Sequence, residues 1–143
     1  MDLRLIEHIE DLARYAPPNH AGTQNVKLVE REFCPSFEMV RGLVQPGGEA
    51  EPHYHAHEHQ VMYVVAGVAE VTLGDDAPVR CGPGTIVRLP PLLMHRVVCV
   101  SRQPLEVIIV YSPPLPKENA FHTDRSTARD PRGSGQISQQ RPA

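Results

Sequence analysis

No apolar run in the 143 residues approaches the roughly 20 needed for a membrane-spanning helix, so no membrane partner is expected. There is no surplus of positive charge: 14 Lys and Arg against 17 Asp and Glu leave a formal net charge of −3, which argues against a nucleic-acid partner. The first residues include Asp2, Arg4 and Glu7 and lack the apolar core of a secretory signal, so a cytoplasmic location is expected. Cysteine is scarce. Cys34, Cys81 and Cys99 are odd in number, and no pair has zinc-knuckle or redox spacing, which points to buried, reduced thiols. No internal repeat is visible.

Long helical patterns are also missing. Fifteen prolines and ten glycines cut the chain into short segments, the mark of many strands and tight turns. Leu5, Ile9 and Leu12 permit one short helix before Pro17-Pro18. Strands are expected at 25–33, 37–45, 53–55, 59–65, 69–73, 79–81, 85–89, 96–100 and 105–111. Turns are expected at Pro46-Gly47-Gly48, Gly67, Gly74-Asp75-Asp76 and Gly82-Pro83-Gly84. Strands at this spacing fold as an all-β sandwich or barrel. The domain limits read as an N-terminal arm over 1–24, a β-barrel over 25–111, and a tail over 112–143. The tail is rich in Pro, Ser, Arg, Gln and Gly and too poor in apolar residues to offset its ordering entropy. It is expected to be extended or disordered, or to order against a partner subunit.

Histidine is what the sequence has in unusual arrangement. His53, His55, His57 and His59 fall within Pro-His-Tyr-His-Ala-His-Glu-His-Gln, and His95 follows Pro-Pro-Leu-Leu-Met. Imidazole is the commonest metal-binding side chain. Two histidines one residue apart on a strand share a face, roughly 6–7 Å apart, close enough for both to reach one ion.

These residues resemble the two motifs of the cupins, small jelly-roll β-barrels. The first motif, G-x5-H-x-H-x3-4-E-x6-G, is matched by Gly47, His53, His55 and Gly67. The second, G-x5-P-x-G-x2-H-x3-N, is matched by Gly84, Pro90 and His95. The resemblance covers about residues 37–111. The chain departs from the pattern in three places. The first motif's glutamate is absent, His59 and Gln60 standing there. Leu92 replaces a glycine and Cys99 an asparagine. Some single-domain cupins carry H-x-H-x-x-E-H, which here is His53, His55, Glu58 and His59. The resemblance therefore implies a single-domain cupin jelly-roll barrel with a four-histidine metal site: His53, His55, His59 and His95. Gln60 is the alternative fourth ligand. Adjacent strand residues face opposite ways, and both faces of 61–66 are apolar, so parity leaves the two open. Imidazole is the better donor and favours His59.

Such a ligand set is neutral and suits one divalent transition metal (Fe, Mn, Ni, Cu or Zn) over Mg or Ca. An uncompensated ion favours an anionic, chelating, small-molecule substrate. Four ligands on an octahedral ion leave two adjacent positions, enough for a bidentate substrate or for substrate plus O₂. The resemblance thus implies a metal-dependent dioxygenase acting on a small carbonyl compound or acid. The alternatives are a non-redox isomerase or lyase and a non-catalytic small-molecule binder. Candidate catalytic residues are Glu58, as a carboxylate orienting an imidazole, Tyr63 on the pocket wall, and Arg41, which with Arg88 would meet a substrate carboxylate unless both are exposed strand arginines. The wall is expected to use Phe37, Met39, Val61, Tyr63, Leu89, Leu93, Val97 and Ile109. Cys99 shares parity with His95. His57 reads as a rim residue, and His8, His20 and His122 as surface, with a place over the pocket mouth the alternative for His20. The arm and tail suit a homodimer.

Overall fold

The structure, a computed structural model, describes residues 4–118 and 120–133. Among the described residues nine antiparallel strands form one curled sheet, a jelly-roll barrel. They are β1 (Arg14–Tyr15), β2 (His20–Val29), β3 (Glu38–His53), β4 (His59–Ala66), β5 (Ala69–Leu73), β6 (Val79–Cys81), β7 (Ile86–Leu89), β8 (His95–Cys99) and β9 (Leu105–Ser112). The order is β6-β5-β8-β3-β9-β4-β7, with β2 also paired to β3 and β1 to β2. Most strands alternate buried and exposed residues, as a sheet with one interior face requires. The interior is filled by Val40, Val44, Met62, Val64, Leu105 and Val107, among others.

Strands expected separately at 37–45 and 53–55 are one. The expected turn at Pro46-Gly47-Gly48 is a corner inside β3. Before it, Glu38 to Val44 pair with β9. After it, Glu49, Ala50 and His53 pair with β8. The strand thus belongs to both walls of the barrel. Gly47 takes φ +79° in open space, while at Gly48 a Cβ would stand 2.6 Å from the Ala21 carbonyl oxygen, so only glycine lets β2 approach there.

The expected short helix is a single 3-10 turn, Ile9–Asp11. Helices this short depend on burying an apolar face, and Leu5 and Ile6 are 80% and 92% exposed. The arm is also shorter than 1–24, because β2 starts at His20. Pairing of His20 with Ala50 and Ala21 with Glu49 extends the strand beyond what its own residues suggest. The segment after β9 does not trail away. Residues 113–118 and 120–133 return over their own barrel. Tyr54 and His122 form a two-bond bridge, Arg129 N–H donates to the Leu92 carbonyl, and Arg132 pairs with Asp76 at 3.0 Å. Polar backbone contacts hold it, which apolar content does not forecast. The rest of the expected tail, 134–143, lies outside the described residues.

All three cysteines are free, and Cys81 and Cys99 are buried. Among the described residues no helix is long and apolar enough to cross a membrane.

Candidate metal centre and its cavity

His53 ends β3 and pairs in register with His95, which opens β8. His55 lies just beyond β3. It is fixed there by the Tyr54–His122 bridge and by its own carbonyl, which accepts from Leu92 N–H at 2.8 Å. Leu92 is a non-glycine residue with φ +74°, at the position where the second cupin motif has glycine. Its backbone is held on both sides, by His55 and by Arg129, so the strained conformation is imposed by its neighbours.

The three imidazoles are buried, and each offers a nitrogen within 4.8 Å of the others. Every Nδ1 has a backbone carbonyl: His53 with Glu51 at 2.6 Å, His55 with Ala120 at 2.6 Å, His95 with Leu93 at 2.9 Å. An Nδ1–H donated to a carbonyl leaves the lone pair on Nε2. The Nε2 atoms of His55 and His95 are buried and have no hydrogen-bond partner. Burial, and secondarily the charge of His95, lowers the His53 pKa to about 2, and burial lowers that of His95 to about 4. Burial also lowers that of His55, against the opposing pull of the Ala120 carbonyl and the nearby Glu58 charge. The rings are therefore neutral at physiological pH, as metal ligands must be.

His59, expected as the fourth ligand, is not in this cluster. It is the first residue of β4, and its side chain is exposed on the outer face. Gln60 faces inward instead, buried beside His55, with its Oε1 lacking a partner. Register decides the parity, since Gln60 stands opposite both Tyr111 and Leu89, whose side chains are interior. Gln60 thus occupies the place of the missing motif glutamate. Convergent buried nitrogens, an orphaned amide oxygen and Nδ1 atoms satisfied by backbone form a donor set that fits a transition metal.

The other candidates divide. Glu58 is buried and near His55, and its carboxylate accepts from His57 N–H at 3.3 Å. Tyr63 and Val61 are 44% and 40% exposed on the outer face, because odd residues of β4 point away from the interior. Arg41 lies outside too, paired with Glu106 at 2.9 Å, and Arg88 is exposed. Cys99 packs in the core. Of the expected wall, Val97 and Ile109 line the cavity, Leu89 and Leu93 lie in the core without reaching it, and Phe37 and Met39 do not border it.

The cavity has a volume of about 580 Å³ and runs from His53, Gln60 and His95 to Asn25, Lys27 and Glu38. Of its residues, His20 takes the place over the mouth that the sequence reading ranks second, and Phe121 escapes sequence reasoning. His20 is half-buried, its ring 6.2 Å from that of His53 and 6.1 Å from that of Phe121. Burial lowers its pKa to about 4. Phe121 packs 4.7 Å from His53 and 5.2 Å from His55. It comes from the returning C-terminal segment and carries no motif. Tyr111 meets His55 edge-on at 5.4 Å, and burial raises its pKa, keeping the phenol protonated.

Residues 40–111, half of the chain, match the Cupin domain family Cupin_2. Polyketide synthase CurC of Streptomyces cyaneus is 31% identical over 60% of this chain, but the chain spans only 55% of CurC. L-ectoine synthase of Bordetella petrii is 30% identical over 62% of this chain and 65% of its own length. Among solved structures, KdgF from Halomonas sp. is similar at a TM-score of 0.63 and 27% identity, covering 73% of this chain and 88% of that one. The polyketide cyclase RemF from Streptomyces resistomycificus has the same fold at a TM-score of 0.68 and 23% identity, covering 77% and 80%. Both histidine motifs fall inside the matched residues, and the barrel is that of these neighbours: the chain belongs to the cupin family.

Proposed function

We propose that this cupin holds one divalent transition metal on His53, His55, His95 and Gln60 and promotes non-redox chemistry at a carbonyl of a small anionic substrate. The observation that carries the reading is the set of three imidazoles, each with Nδ1 on a backbone carbonyl and a ring nitrogen within 4.8 Å of the other two, beside the Gln60 amide. When bound, the metal would supply a Lewis acid that draws negative charge onto a substrate oxygen. All four side chains are uncharged, so an anionic substrate group is favoured there. Gln60 in place of His59 leaves that argument intact. Apolar walls from Met62, Val97 and Ile109 exclude water and orient an organic skeleton.

The chain supplies proton handling at the cavity wall. His20 Nδ1 engages Thr23 Oγ1 at 3.2 Å, leaving Nε2 to take a proton from a carbon next to the carbonyl. Tyr111 presents an un-ionised phenol that can donate to developing negative charge. Relatives named as synthases support a bond-forming or isomerising reaction. The second reading, a dioxygenase, is favoured by a donor set that suits Fe, Mn, Ni or Cu as well as Zn.

The test is hydrogen–deuterium exchange at the α-carbon of chelating β-diketones and 2-oxo acids, followed by NMR under nitrogen with zinc-loaded protein. Exchange that is lost in His95→Ala is the expected result. Absence of exchange, with oxygen uptake by the iron-loaded protein on the same compounds, would overturn it in favour of the dioxygenase.

A further inference from the structure

The strand β2 faces the cavity with the wrong kind of residue for an apolar barrel. Thr23, Asn25 and Lys27 line it, at alternate positions, where most neighbouring strands present Val, Leu, Ile or Met. Two of these polar groups are satisfied. Thr23 engages His20 at 3.2 Å, and Lys27 Nζ lies 3.7 Å from Glu38, whose other carboxylate oxygen accepts from Leu115 N–H at 2.8 Å. Asn25 is not. It is only 6% exposed, it stands opposite Tyr15 of β1, and its Oδ1 has no partner. The space around that oxygen is kept by Gly42, where a Cβ would stand 3.2 Å from Oδ1 and 3.0 Å from Val107. An unpaired buried acceptor is destabilising, and on a cavity wall a ligand's donor can satisfy it.

Its position along the barrel is remote from the row of Gln60. Asn25 stands opposite Gly42, and Gly42 opposite Val107. Gln60 stands opposite Tyr111 on the same strand β9. Four residues of strand separate those two rows, about 13 Å at roughly 3.3 Å per residue. We propose that Asn25 forms a second recognition point in the cavity, set apart along the barrel from the row of the metal ligand Gln60. It would accept a hydrogen bond from a hydroxyl or N–H group of an elongated substrate whose other end chelates the metal. The inference rests on the metal–carbonyl reading above and adds the substrate's distal chemistry: a bifunctional molecule, with oxygen chelator and hydrogen-bond donor separated by an apolar, ring-sized body.

The probes are benzoylacetone and its para-hydroxy derivative, titrated calorimetrically into zinc-loaded protein, where zinc precludes redox turnover. The hydroxylated compound is expected to bind about tenfold more tightly to the wild type, an advantage typical of satisfying one buried acceptor. In Asn25→Leu and Asn25→Ser the two compounds should bind alike, with benzoylacetone itself within about threefold of wild type. Two substitutions are used because the larger could disturb the packing against Gly42, and the wild-type comparison needs neither. Equal binding of both compounds to wild type, or a preference that survives both substitutions, overturns the role of Asn25 and leaves the metal–carbonyl reading standing. Failure of either compound to bind the zinc-loaded protein overturns that reading, and this inference with it.

Discussion

At the scale of single residues, the exchange of His59 for Gln60 has direct consequences. His59→Ala changes an exposed side chain, and the zinc content and affinity of the protein should be unchanged. Gln60→Ala removes an interior amide oxygen from the donor set, and zinc affinity should fall on the order of 10–100-fold, as loss of a supporting ligand does; competition titration with a chromophoric chelator reads both. The imidazoles also set an acid limit for the metal-free protein. His95 keeps its proton off down to about pH 4, whereas in the unfolded chain it takes one up below its ordinary 6.5. Between those values the unfolded state binds more protons, so the contribution of His95 to stability is complete above pH 6.5 and is lost as pH falls toward 4. At about 1.36 kcal/mol per unit, that is at most about 3 kcal/mol. Urea melts of apo protein at pH 7 and pH 4.5 should show the loss, and His95→Gln should reduce the difference by its own share, with His53 and His20 supplying the remainder.

At the scale of elements, the site depends on two segments that hold His55 from outside the barrel strands. One is the turn at Leu92. Leu92→Gly relieves a left-handed conformation worth about 1–2 kcal/mol but gains unfolded-state entropy, so a net stabilisation of about 0.5 kcal/mol is expected in urea unfolding. The other is the returning segment, whose Ala120 carbonyl fixes the His55 ring. A chain ending at residue 112 should keep its barrel circular-dichroism spectrum yet bind zinc about 10–100-fold more weakly. These elements also show what was legible in advance. His53, His55 and His95 could be read because each carries a motif spacing and opens or closes a strand. The choice between His59 and Gln60 could not, because Val61, Tyr63 and Val65 make the outer face of β4 as apolar as the inner one. Only pairing with β7 and β9 settles the face. His20 and Phe121 reach the site through long-range pairing of segments whose composition suggested an arm and a tail.

At the scale of the whole molecule, the outer apolar residues matter again. Val61, Tyr63 and Val65 on β4 and Ile86 on β7 are each 40–46% exposed and adjacent through the β4–β7 register. Clustered apolar exposure of this kind marks contact surfaces, and we propose that a second copy of the chain covers it. Sedimentation should give a dimer at micromolar concentration, and Val61→Glu with Tyr63→Glu a monomer that still binds zinc; a monomeric wild type would sink the proposal. The shared strand β3 has a further consequence, for the order of events during folding. Its two halves wait for partners late in the chain, β8 for one and β9 for the other, and the ring of His55 waits for Ala120. Contacts so distant in sequence close slowly, on the order of milliseconds to seconds. On the ribosome the edge of β3 not covered by β2 would stand open to pairing with other chains until most of the protein had been made.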